Sequence, residues 1–146
     1  MSVLQLTSDK LKEAGISHIP VNALSKRPTI HSWKQYQEVI PNGEASTWFA
    51  DQRANGIAIV AGAVSGNLEV LDFDKKGTKG ETEKTIEFWL NKVLNIPELK
   101  EKLSKCYLQQ TQSGGYHLVL RVECKVLGNL KLVLNPITGE AIIETR

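Results

Sequence analysis

Three short stretches of this sequence carry side chains that could act together on phosphate and metal ions. They hold the pair Asp72 and Asp74, His117 after a glycine turn, and Glu144. Carboxylates bind hard divalent cations, and a histidine beside them can donate a hydrogen bond to a phosphate. These residue types suit metal-dependent nucleotidyl transfer, in which metal ions stabilise the attacking and leaving oxygens.

The first stretch places Asp72 and Asp74 two residues apart, directly after an apolar run. Successive side chains of a strand alternate faces, so both carboxylates are predicted to project to one side, with their Cα atoms about 6.5 Å apart. Two like charges on one face repel each other unless a cation offsets them. The alternative is a pair of aspartates at a strand end that solvates the turn into Lys75-Lys76.

The second stretch, Ser113-Gly114-Gly115, comes just before His117. Paired glycines allow a tight turn with exposed backbone N–H groups, which can bind phosphate oxygens, and Ser113 adds a hydroxyl donor. His117 would then donate to the phosphates from the returning strand. The alternative is an ordinary hairpin with a histidine on its polar face.

Glu144 follows two isoleucines on a late predicted strand, and on its own it is better explained as a surface glutamate. The loop Lys26-Arg27-Pro28 could bind triphosphate or template phosphates through Lys26 and Arg27. The alternative there is a plain surface loop.

Trp33 nearby is expected to pack into the core, and His18 is expected to be structural or on the surface, since no zinc-type spacing surrounds it.

Composition places the chain among globular proteins. It has 146 residues, 41% of them hydrophobic and 23% charged, with a formal net charge of +2. That charge argues neither for nor against a nucleic-acid partner. The two cysteines form no C-x-x-C pair, the first residues have no apolar signal core, and no apolar run is long enough to cross a bilayer. We therefore expect a cytoplasmic protein with reduced thiols and no membrane partner.

Periodicity and turn signals predict an α+β protein consisting of one domain. Residues 68–74 form the strand that carries the aspartates, and apolar positions from 82 to 94 follow one helical face. Residues 106–111 and 116–122 form a hairpin, as do residues 130–134 and 141–145. The other predicted elements are helices at 4–14, 44–53 and 97–104 and strands at 16–21 and 56–61.

The ordered set of these motifs resembles the bifunctional primase–polymerase (Prim-Pol) domain family of the archaeo-eukaryotic primase superfamily. The resemblance extends over most of the chain. The matching segments are Ile19-Pro20-Val21, Lys26-Arg27-Pro28, Trp33, Trp48-Phe49, residues 55–62, Ser65-Gly66, Leu71-Asp72-Phe73-Asp74, residues 113–117 and Ile143-Glu144-Thr145-Arg146.

The resemblance implies an RRM-like, largely antiparallel sheet flanked by an N-terminal α/β layer. It implies that Asp72, Asp74 and Glu144 bind Mg²⁺ or Mn²⁺. It also implies that His117, with Ser113 beside it, contacts the triphosphate of the incoming nucleotide. Such domains usually belong to replication proteins of phages, plasmids or mobile elements, often fused to a helicase.

The function implied is that of a DNA primase/polymerase that uses nucleoside triphosphates on a single-stranded DNA template. Two other classes remain open: a non-catalytic nucleotide or nucleic-acid binding module of the same fold, and a metal-dependent nuclease or relaxase. The family continues beyond the third acidic motif, whereas this sequence stops at Arg146. We therefore expect a domain, residues 1–146, that is truncated at its C-terminal end, with Glu144 on a frayed last strand and weak activity.

Overall fold

The N-terminal unit, which runs to Asn67, is built around a three-stranded antiparallel sheet. The computed structural model describes residues 2–126 and 128–146. The elements of this unit are α1 (Val3–Glu13), β1 (His18–Asn22), β2 (Arg27–Pro28), α2 (Ala45–Trp48) and β3 (Gly56–Ile59), with 3-10 turns at Lys34–Gln37 and Ala63–Ser65. The strand order is β2-β1-β3.

Local sequence accounts for the start and end of α1. The Ser2 hydroxyl accepts the N–H of Gln5 at 3.1 Å, which caps the first turn. Gly15, just past the end, has φ +68°, a left-handed conformation that glycine adopts without steric cost. These residue types predicted the helix to within one residue at each end.

The core of this unit packs apolar side chains of β1 against the 3-10 turn and α2. Ile19, Val21, Tyr36 and Trp48 are buried in it, and Trp33 packs against it as expected. Two details differ from the sequence prediction. The helix predicted at 44–53 is only Ala45–Trp48, because turns follow it, and the predicted loop Lys26-Arg27-Pro28 contains the short strand β2.

A fully buried histidine at the start of β1 makes the stability of this unit depend on pH. The His18 Nδ1 atom lies 3.0 Å from the carbonyl oxygen of Ile16, so Nδ1 carries the proton. Nε2 lies 2.7 Å from the Ser8 hydroxyl and accepts from it. Burial lowers the pKa of His18 below its ordinary value of 6.5. The residue is therefore structural, as its lack of ligand spacing suggested.

The free energy of unfolding should fall as the pH is lowered from 6.5 through the depressed pKa of His18. In that window the unfolded chain takes up a proton that the native protein does not, at up to about 1.4 kcal/mol per pH unit. Urea titrations from pH 7 to pH 5 measure this slope. His18→Gln should flatten it, whereas the control His31→Gln, at an exposed histidine, should not. An equal slope in His18→Gln would rule out this residue as the source.

The C-terminal unit, Leu68–Arg146, contains a five-stranded antiparallel sheet with two helices. Its elements are β4 (Leu68–Phe73), α3 (Thr82–Leu94), α4 (Pro97–Leu103), β5 (Tyr107–Gln110), β6 (Tyr116–Arg121), β7 (Lys131–Leu134) and β8 (Ala141–Thr145). The strand order is β5-β6-β4-β8-β7, so both predicted hairpins form. The prediction of an α+β fold is confirmed, whereas the single domain over residues 1–146 stays a prediction.

One face of this sheet forms the core of the unit. Phe73 is fully buried there with Ile86 of α3, Leu118 of β6 and Ile143 of β8. The Phe73 ring meets the Trp89 ring edge to face at 5.5 Å. Because side chains alternate along a strand, burial of Phe73 on the helix side turns its neighbours in β4 to the opposite face.

The loop after β4 passes so close to β8 that Gly77 cannot carry a side chain. A Cβ atom at Gly77 would overlap the carbonyl group of Ala141 and lie 2.8 Å from the backbone nitrogen of Ile142. The carbonyl oxygen of Gly77 also accepts the side-chain amide of Asn135 at 2.9 Å. The atoms that a Cβ at Gly77 would meet belong to the backbone of β8, so they cannot move aside as a flexible side chain could.

Gly77→Ala should destabilise the protein by about 3 kcal/mol, because the loop or the start of β8 must shift to admit the methyl group. Denaturant unfolding followed by circular dichroism gives this value. Gly43→Ala is the matched control, since a Cβ there meets nothing within 4 Å. Equal stability of the two variants would show that the loop adapts freely.

Candidate functional site

A row of polar residues crosses the C-terminal sheet on the face opposite Phe73. Asp72 of β4 is directly opposite His117 of β6 on one side and Glu144 of β8 on the other. The row continues to Gln109 of β5 and Lys131 of β7. Directly opposed residues of antiparallel strands share a face, so the register brings three of the predicted site residues together. His117 is 45 residues and Glu144 is 72 residues from Asp72 in sequence, yet each lies on a strand next to β4.

Arg146 bridges the two carboxylates of this row. Its Nε lies 3.2 Å from Oδ2 of Asp72, and its Nη2 lies 2.6 Å from Oε1 of Glu144. The carboxylate side chains are only 13% and 12% exposed, whereas that of Arg146 is 47% exposed. A shared cation therefore offsets the repulsion that two largely enclosed carboxylates would otherwise suffer.

His117 completes the group from the other side of Asp72. Its Nε2 lies 3.5 Å from Oδ1 of Asp72. Burial raises the pKa of the Asp72 carboxyl, but the neighbouring His117 ring and Arg146 guanidinium outweigh it, so the pKa lies below its ordinary value of 3.8. Asp72 is therefore ionised at neutral pH.

Glu144 lies on an interior strand of the sheet. β8 pairs with β4 on one side and β7 on the other, and the backbone N–H of Arg146 still donates to the carbonyl oxygen of Val70 at 2.9 Å. The expectation of a frayed last strand is wrong, because fraying needs an unpaired chain end and this one is hydrogen-bonded across the sheet. The weak activity expected on that ground loses its physical reason.

Asp74 lies one residue beyond the end of β4. Its backbone N–H donates to the carbonyl oxygen of Ile142 at 3.1 Å, and its Oδ1 accepts the N–H of Lys76 at 2.8 Å. This carboxylate therefore caps the turn into the loop, which was the alternative weighed for it. Its part in metal binding stays a prediction.

The glycine turn before His117 forms as predicted, but the backbone N–H groups of its two glycines are already hydrogen-bonded. Gly114 has φ +85°, and a Cβ at Gly115 would lie 2.6 Å from the carbonyl oxygen of Phe73, so both positions require glycine. The N–H of Gly114 donates to the carbonyl of Thr111 at 2.9 Å, and that of Gly115 to the Thr111 hydroxyl at 3.0 Å. The expectation of exposed N–H groups at these glycines is therefore wrong.

The remaining predicted phosphate ligands are distributed over both units. The Ser113 hydroxyl lies at the glycine turn, 3.4 Å from the hydroxyl of Thr111. Lys75 lies along the same turn, with its Nζ 3.5 Å from where a Cβ of Gly114 would be. Lys26 and Arg27 belong to the N-terminal unit, at β2 and the turn before it. Nucleotide binding by Ser113, Lys26 and Arg27 stays a prediction.

Sequence reasoning assigned no role to Arg146, Gln109, Lys131 or Lys75. For Arg146 a signal was present: it follows Glu144 at i+2, the spacing that puts two strand residues on one face. For Gln109 and Lys131 no such signal exists, because their places in the row depend on the pairing register of separate strands.

The donor chemistry of Asp72 and Glu144 fits a hard divalent cation. Both offer carboxylate oxygens, and one guanidinium already occupies the position of a shared cation. Mg²⁺ is usually bound through one or two carboxylates together with substrate phosphates and waters. Within residues 2–126 and 128–146, no group of three or more His, Cys, Asp or Glu side chains is arranged to hold a metal ion.

The fold and this site define an α+β protein whose antiparallel sheet carries a carboxylate–histidine row opposite its helices. The chain belongs to the family of bifunctional DNA primase/polymerase N-terminal (Prim-Pol) domains, whose family model matches residues 9–146. The family assignment made from the motifs is thereby confirmed. A search of curated proteins found no match.

The described helices are also informative about membranes. In the part of the chain that the structure covers, none is both long enough and apolar enough to span a bilayer. The cytoplasmic location stays a prediction.

Proposed function

We propose that this chain is a divalent-metal-dependent nucleotidyltransferase that starts and extends DNA strands. The observation that carries the proposal is the cross-strand pairing of Asp72 with both Glu144 and His117, in a member of a primase/polymerase family. Its substrates are nucleoside triphosphates and a single-stranded DNA template. Its context is a replication protein of a phage, plasmid or mobile element, and its partner there is a helicase domain.

Asp72 and Glu144 would hold Mg²⁺ or Mn²⁺, with Asp74 as a further ligand from the end of β4. When bound, the metal supplies charge stabilisation to the attacking 3′-oxygen and the leaving pyrophosphate. The protein fixes the positions of Asp72 and Glu144. These two carboxylates are on adjacent strands, so the sheet and not a flexible loop sets the distance between them.

His117 would bind the triphosphate of the incoming nucleotide. It is the residue of the row next to Asp72 and follows the glycine turn that carries Ser113. Its ring could therefore donate to a phosphate oxygen of a nucleotide bound beside Asp72. Lys26 and Arg27 would contribute charge toward triphosphate or template phosphates.

A second candidate is a binding module that holds nucleotide or nucleic acid without turnover. One observation favours it: the Arg146 guanidinium fills the space between Asp72 and Glu144. A guanidinium that stayed there would keep a divalent ion away from both carboxylates and leave only a binding function.

Incorporation of labelled nucleotide, measured with and without Mn²⁺ on primed and unprimed single-stranded DNA, tests the proposal. Metal-dependent extension of the primer supports polymerase activity, and products on the unprimed template support priming. Nucleotide binding without incorporation would favour the binding module. Release of cleaved strand in the absence of nucleotide would instead indicate a nuclease.

A further inference from the structure

Arg146 contacts both carboxylates of the site, but the proposed nucleotidyl transfer gives it no role. We propose that its guanidinium is an exchangeable cation, which holds Asp72 and Glu144 together in the metal-free protein and leaves when a divalent ion binds. The inference rests on the proposed metal site. It makes Arg146 a positioning residue that sets the affinity for metal.

The geometry requires the exchange. Nε of Arg146 donates to Oδ2 of Asp72 at 3.2 Å, and Nη2 lies 2.6 Å from Oε1 of Glu144. A divalent ion bound by Asp72 and Glu144 together would lie between the same two carboxylates, and its charge would repel a guanidinium at such distances. The ion and the side chain therefore cannot both occupy the space between the two carboxylates.

Differences in burial make the exchange feasible. The Asp72 and Glu144 side chains are almost enclosed, whereas the Arg146 side chain is about half exposed and can move into solvent. The backbone of Arg146 need not move, since its N–H is held by the carbonyl of Val70. A long side chain on a fixed backbone can change rotamer at small cost.

The arrangement also explains how the metal-free sheet tolerates two facing carboxylates. Like charges directly opposite each other on adjacent strands are destabilising. Arg146 offsets them through a hydrogen bond to Asp72 and an ion pair with Glu144, because its planar guanidinium reaches both. Lysine has one compact ammonium and would bridge the pair less well.

The test measures Mn²⁺ binding by isothermal titration calorimetry in the absence of nucleotide. Arg146→Gln should bind Mn²⁺ about tenfold more tightly than wild type, and Arg146→Lys should lie between them. Arg53→Gln is the matched control, because Arg53 pairs with Asp51 on the surface and its loss changes the net charge equally. This control should leave the affinity near wild type.

Thermal unfolding of the same proteins gives a second measurement. Without metal, Arg146→Gln should melt below wild type, because the two carboxylates have lost their cation, and saturating Mn²⁺ should raise its melting temperature more than that of wild type. Equal or weaker Mn²⁺ binding by Arg146→Gln than by wild type would overturn the exchange and leave the proposed metal site standing. Absence of Mn²⁺ binding in all variants would overturn the metal site as well.

Discussion

Asp72→Asn should reduce metal-dependent nucleotide incorporation by at least about a thousandfold, which corresponds to roughly 4 kcal/mol of transition-state stabilisation. Asp72 is the central residue of the row, paired with Glu144 and His117 and bonded to Arg146. Asparagine keeps the shape of the side chain but removes the charge that holds a divalent ion. Steady-state incorporation with Mn²⁺ on a primed template gives the value.

The control for this variant is Glu69→Gln on the same strand. Glu69 is three residues before Asp72 and therefore on the other face of β4, where it accepts the N–H of Val70 at 3.1 Å. It should retain incorporation within about twofold, as expected of a substitution outside the site. Near-normal activity of Asp72→Asn, with both variants folded by circular dichroism, would contradict the assignment of the site.

His117→Ala should weaken binding of nucleoside triphosphate by about 10- to 100-fold and leave Mn²⁺ affinity within about twofold. The loss corresponds to one hydrogen bond to a charged group, and a hard cation prefers the oxygens of Asp72 to an imidazole nitrogen. Titration of the protein with a fluorescent nucleotide, and separately with Mn²⁺, distinguishes the two affinities.

His31→Ala provides the comparison for that variant, because His31 is exposed and lies in the N-terminal unit. It should change neither affinity. If His117→Ala instead loses Mn²⁺ binding and keeps nucleotide binding, the histidine is a metal ligand, and its 3.5 Å approach to Asp72 reflects a shared metal site.

The strands and hairpins of the C-terminal unit could be predicted from sequence because their signals are local. The Gly114-Gly115 turn indicates where β5 ends and β6 begins, and alternation around Phe73 fixes which face Asp72 occupies. The predicted bounds differ from the observed ones by about one residue at these strands. The helix at Ala45–Trp48 was overestimated, because turns and a bend occupy residues 49–53, where the prediction continued the helix.

Which residues share the site was harder to predict from the sequence, because this depends on the pairing register of strands that are distant in sequence. Nothing local places Glu144 opposite Asp72, or Lys131 opposite Glu144, since those pairings come from the order β4-β8-β7. The glycine N–H groups were predicted to be free because the role of Thr111 as their acceptor could not be read from its type alone. Arg146 was overlooked although its i+2 spacing from Glu144 was visible.

Paramagnetic broadening by Mn²⁺ in the NMR spectrum tests the central claim most directly, since this 16.2 kDa chain is small enough for assigned amide signals. The claim is that the metal and the nucleotide bind at the row formed by Asp72, His117 and Glu144. With nucleoside triphosphate present, substoichiometric Mn²⁺ should broaden the amide signals around these three residues first and those of α4 last. Broadening centred on other carboxylates, such as Glu98 and Glu101 of α4, with the row unaffected, would contradict the account.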